Sequence, residues 1–109
     1  MKPVVLLIGK LRQVIEKVPQ QLDHLPVNWL GAHDHAEVMH QLNREPNIDC
    51  AIIGGSLPDD IRGDLVAMIA TRRPDICIHV KDRDSGPDAM AGFVENIVRM
   101  QYVDHKLPA

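Results

Sequence analysis

Apolar residues follow two rhythms along this chain: short unbroken runs, and longer stretches in which they recur every three or four positions. Pro3-Val4-Val5-Leu6-Leu7-Ile8-Gly9 is one such run, rich in β-branched residues and closed by glycine. It predicts a parallel-sheet strand covered on both faces, because both of its sides are apolar. From Lys10 the spacing becomes helical, with Leu11, Val14, Ile15, Val18, Leu22 and Leu25 on one face and polar residues between them. Pro19 lacks an amide hydrogen and disfavours a helical Val18, so this helix is expected to break there. Pro26–Gly31 predicts a second strand, more polar than the first, as an edge strand can be.

The same alternation continues to the end of the chain. Asp34 is placed to cap a second helix, with Glu37 at capping-box spacing and Ala36, Val38, Met39 and Leu42 as the apolar face. Ile48–Gly55 predicts a central third strand that stops at a double glycine. Pro58-Asp59-Asp60 starts a third helix, since proline is preset for a first turn and acidic residues favour the positive helix end. Its buried face is expected to be Ile61, Leu65, Val66, Met68 and Ile69. A fourth strand, Ile76–Val80, leads through the polar loop Lys81–Gly86 into a last helix starting near Pro87. That helix buries Met90, Phe93, Val94, Ile97 and Val98, and the tail after Met100 is expected to fray.

Short connections and right-handed crossovers turn these βα units into an α/β fold. The expected architecture is a three-layer αβα sandwich with a four-stranded parallel sheet in the order 2-1-3-4. No linker, repeat or low-complexity stretch divides the chain, and 109 residues suit one domain, so residues 1–109 are read as a single unit.

Composition narrows the partners. A net charge of -3 gives no bias toward polyanions, and Trp29, Phe93 and Tyr102 are too few for a base-stacking platform, so nucleic acid is not expected. The longest apolar run, Val4 to Ile8, falls far short of the roughly 20 residues that span a bilayer, and the N-terminus carries no signal-peptide pattern. A cytoplasmic protein with no membrane role is expected. Cys50 and Cys77 lie in separate apolar runs without CxxC spacing, and both are expected to be reduced, buried thiols.

In an open parallel sheet, ligands bind beyond the carboxyl ends of the strands. That rim gathers Gly9-Lys10, His33-Asp34-His35, Gly54-Gly55-Ser56 and Lys81-Asp82-Arg83. The candidate ligand-binding residues are Gly9, Lys10, Gly54, Gly55, Ser56 and Lys81. Glycines before a helix let backbone amides approach a phosphate, although Asp59 and Asp60 oppose an anion there and the alternative is a tight turn. The two lysines offer charge to an anionic ligand or are simply solvated. His33 and His35 with Asp34 are ligand types that suit a transition metal, against a capping role for Asp34 and solvated imidazoles. Ser56 with these groups is a weak nucleophile reading, since no GxSxG is present. No metal, cofactor or catalytic residue is assigned. His79, inside the fourth strand, is read as a partly buried histidine with a satisfied hydrogen bond.

Between Val27 and Asp82 the chain resembles a response-regulator receiver domain, a flavodoxin-like fold. The resemblance rests on Gly31-Ala32, Asp34, Ala36-Glu37, Asp49-Cys50-Ala51-Ile52-Ile53, Leu57-Pro58 and Pro74-Asp75-Ile76. It implies a phosphoacceptor aspartate five residues after Asp49, where this chain has Gly54. The family's magnesium-holding acidic pair is replaced by Gly9 and Lys10, its hydroxyl residue after strand four is replaced near Lys81 and Asp82, and its fifth strand with a lysine is missing. What remains implied is a signalling fold without aspartyl phosphorylation. The leading functional expectation is a non-catalytic, receiver-like regulatory or protein-interaction module that self-associates, as a homodimer, through the edge of strand four. The alternative is a small-molecule-binding protein or enzyme, with phosphate-bearing ligands at the rim.

Overall fold

The computed structural model describes residues 2–103. Its elements are β1 (Val4–Ile8), α1 (Arg12–Gln21), β2 (Asn28–Ala32), α2 (His35–Arg44), β3 (Ile48–Ile53), α3 (Asp59–Arg72), β4 (Cys77–Val80) and α4 (Met90–Val98). A single 3-10 turn, Pro87–Ala89, leads into α4, and a π-helical turn, Arg99–Val103, extends it. The strands are parallel in the order β2-β1-β3-β4, as their hydrophobic runs predicted.

Alternating residues of the central strands build two cores. Val4, Leu6 and Ile8 of β1 pack with Ala51 and Ile53 of β3 under α2 and α3, whose Val38, Leu42, Leu65 and Ile69 are buried. Val5 and Leu7 pack with Cys50 and Ile52 under α1 and α4, through Ile15, Val18, Met90, Val94 and Val98. Both faces of β1 and β3 are therefore covered, and ten of their side chains, including the five of β1, leave the water at roughly 25 cal/mol per Å² of apolar surface. Asp49 interrupts the β1–β3 register as a bulge, and its Oδ2 accepts the Val4 amide at 2.8 Å in place of a ladder partner.

Several local expectations change. The α1 helix continues through Pro19 and ends two residues later at Gln21, so the proline forfeits one backbone bond in the last turn and little helix follows for it to redirect. Strand β2 starts later than expected, at Asn28, and runs through Ala32. Asp34 caps α2, accepting the Glu37 amide at 2.8 Å, but Glu37 returns its bond to the His33 amide (3.0 Å), one residue ahead of the cap. Ala36 and Ile61 face solvent, each on the first turn of its helix beyond the reach of the core. Cys77 is exposed, because β4 is an edge strand and its outer side has no neighbour, whereas Cys50 is fully buried. Burial pushes the Cys50 thiol up to about 12. The chain stays helical through Val103, past the expected fraying point at Met100, and residues 104–109 lie outside the described residues. Among the described residues, no helix is long and apolar enough to cross a membrane.

Candidate ligand pocket at the carboxyl rim of the sheet

The parallel sheet directs β1, β3 and β4 to end side by side, and the segments that follow them enclose a cavity of about 50 Å³. All six candidate ligand-binding residues, Gly9, Lys10, Gly54, Gly55, Ser56 and Lys81, line it. Val14 and Ile15 of α1 and Met90 of α4 supply its apolar wall, while Lys10, Lys81 and Arg83 supply its charge. No carboxylate lines it among the described residues.

The glycines have different reasons to be there. A Cβ on Gly9 would stand 2.9 Å from Ile15 Cδ1, so this glycine makes room for a core side chain. A Cβ on Gly55 would meet the Asp82 carbonyl at 2.7 Å, so this glycine lets the loop after β4 approach the loop after β3. Gly54 is under no such demand, since its Cβ would find only ordinary contacts, with Ile8 O at 3.5 Å and Met90 Cε at 3.7 Å. The amide of Gly54 donates to Ile8 O at 2.7 Å and is not free for an anion.

Lys81 departs most from the sequence reading. Of the two readings, anion contact or plain solvation, the second fails, since Lys81 is only 2 % exposed. Its amide pairs with Ile53 O at 2.8 Å, which continues the β3–β4 ladder by one step and draws the side chain inward. Nζ donates to Ser85 Oγ at 2.5 Å and to Asp82 O at 3.1 Å. Ser85 Oγ in turn donates to Asp82 Oδ1 at 2.8 Å, and the Ser85 amide donates to Oδ2 at 2.9 Å. These bonds from Ser85 hold the Asp82 carboxyl below its ordinary value. The buried ammonium thus meets a hydroxyl and a carbonyl directly and a carboxylate only through Ser85. Burial of a cation is costly, and the nearby Asp82 carboxylate, which the Lys81 charge also lowers, offsets part of that cost across the Ser85 hydroxyl.

Asp59 does not oppose an anion as its sequence position suggested. Its Oδ1 accepts from Arg62 Nη2 at 3.0 Å and from Arg83 Nε at 3.0 Å, and these bonds hold the carboxyl below its ordinary value. The same arginines clamp the loop: Arg62 Nη1 donates to Lys81 O and Arg83 Nη2 to Leu57 O, each at 2.6 Å. Asp60 is exposed, and its Oδ1 accepts the Ile61 amide.

The histidines do not join this pocket. His33 Nδ1 lies 3.2 Å from Gly9 O, and because a carbonyl only accepts, that nitrogen carries the proton. Among the described residues, no three His, Cys, Asp or Glu side chains gather where they could hold a metal ion, and Ser56 has no hydrogen bond to an imidazole. His79 lies 3.2 Å from Gln101 Nε2, a partner supplied by the turn beyond α4. Sequence reasoning missed the α1 and α4 walls. The helical spacing of Val14, Ile15 and Met90 marked them as core, and nothing in it indicated that they reach the rim.

No protein-family model matches the chain, and no curated protein is similar to it. Its backbone is similar to that of a de novo designed Rossmann fold protein, with a TM-score of 0.59 and 14% identity over 90% of this chain and 98% of that one. At that identity the likeness shows a Rossmann-like α/β fold and nothing of function.

Proposed function

We propose that the protein is a non-catalytic regulatory module, receiver-like in its chain pattern, that binds a small anionic ligand in the rim pocket. The observation that carries this reading is the buried Lys81 ammonium in a pocket whose described lining adds Lys10 and Arg83 and no carboxylate. The cavity of about 50 Å³ admits a phosphoryl or carboxylate head group, well below the roughly 300 Å³ or more that encloses a drug-sized ligand. Gly54 at the position matched to the phosphoacceptor supports a receiver pattern without its chemistry, and a stable aspartyl phosphate formed with a small phosphodonor would overturn that part.

Calorimetric titration with inorganic phosphate and a panel of phosphate- and carboxylate-bearing metabolites tests the binding, repeated on Gly54→Val and Lys81→Ala. Saturable binding to the wild type that is lost in both variants is expected. Binding that survives Lys81→Ala would remove the pocket from the account.

A second reading, self-association through the outer edge of β4, is favoured by Val80, which is 45% exposed on a strand paired on one side only. A homodimer is expected by light scattering, and a monomer at high concentration would eliminate this reading.

A further inference from the structure

Cys50 and Cys77 are direct cross-strand partners, paired in register between β3 and β4. Neighbouring strands lie about 4.8 Å apart, inside the range of Cα separations of roughly 4.4–6.8 Å that disulfides span. Both side chains lie on the α1/α4 face, as Cys50 belongs to that core and Gln101, from the turn after α4, donates to Cys77 Sγ at 3.4 Å. The two thiols differ in access: Cys77 is exposed on the edge strand, while Cys50 is sealed in the core.

We propose that this pair is an oxidation site, in which Cys77 reacts with a hydroperoxide and Cys50 resolves it to an intrachain disulfide. In the first step the Cys77 sulfur attacks one peroxide oxygen, the O–O bond breaks, and sulfenic acid and one molecule of water or alcohol form. In the second, the Cys50 sulfur attacks the Cys77 sulfur, the S–O bond breaks, and the hydroxyl leaves as water with the Cys50 proton. Cysteine is oxidised by two electrons overall per disulfide sulfur pair, and the peroxide is reduced. Proximity in one sheet offsets the small thiolate fraction of a buried Cys50. The exposed Cys77 sulfur leaves such a bridge open to attack by an external thiol, which makes the oxidation reversible. The pair is independent of the rim ligand, although β4, which begins at Cys77, is followed directly by Lys81.

The test is exposure of the folded protein to hydrogen peroxide, then denaturation, thiol counting and intact mass. The wild type is expected to lose both thiols while remaining a single chain lighter by two hydrogen atoms, and to recover them with a dithiol reductant. Cys77→Ala, at an exposed position, is expected to keep Cys50 reduced under the same exposure. In Cys50→Ala, Cys77 is expected to give a sulfenic acid that a dimedone-type trap captures. Cys77 overoxidised or cross-linked between chains while Cys50 of the wild type stays free would overturn the proposal.

Discussion

Replacing Gly55 with alanine tests how the rim is assembled. The added Cβ would stand 2.7 Å from the Asp82 carbonyl oxygen and 3.2 Å from Arg83 Cα, both backbone atoms that cannot rotate away. Ordinary contact begins near 3.4 Å, so the loop after β4 must retreat by about 0.7 Å. That loop is fastened by Arg62 to Lys81 O and Arg83 to Leu57 O at 2.6 Å each, and the retreat stretches both bonds. Overpacking of this kind costs about 1–3 kcal/mol, and a loss of about 2 kcal/mol is expected. Urea unfolding reads it as a midpoint lowered by about 1–2 M, given a slope of about 1–2 kcal/mol per molar for a small domain. Gly54→Ala is the control, since its Cβ meets nothing closer than 3.5 Å. A Gly55→Ala protein within about 0.5 kcal/mol of the wild type, the usual scatter for surface changes, would refute the loop contact.

Gly63→Ala, in α3 with nothing within 4 Å of its Cβ, is expected to stabilise by about 0.5–1 kcal/mol in the same unfolding assay. Asp34→Ala removes the α2 cap and is expected to cost about 1 kcal/mol, with Asp34→Asn recovering most of it; equal losses for both would disprove the capping role. The carboxyls of Asp59, Asp75, Asp82 and Glu95 are all held below their ordinary values by hydrogen bonds from Arg62, Arg73, Ser85 and Arg99. Their contribution is complete above the ordinary carboxylate range and is lost as pH falls from about 5 through the lowered values. Thermal melts over that window should show a falling midpoint, less steep in Asp59→Asn, and a flat profile would contradict the ion pairs.

The strands and their order were legible because β1 and β3 are apolar on both faces and β2 is not. Helix starts were legible where a side chain does the work, as at Asp34. Burial at the periphery was not legible, because it depends on neighbours distant in sequence. Cys77 carries the composition of a core residue but sits on an edge, and Ile61 has helical spacing but lies a turn too early. Lys81 is the converse, a polar residue drawn inward by one extra ladder bond to Ile53. The six rim residues were identified from the rule that ligands gather beyond strand ends, while the clamp by Arg62 and Arg83 depends on side-chain reach across loops.

An amide-resolved NMR titration with inorganic phosphate tests the rim pocket as an anion site most directly. Saturable shifts confined to Gly9–Leu11, Gly54–Ser56 and Lys81–Gly86, and lost in a Lys81→Met protein that still folds, are expected. Shifts absent from these segments, scattered over exposed lysines and arginines, or unchanged by Lys81→Met would contradict it.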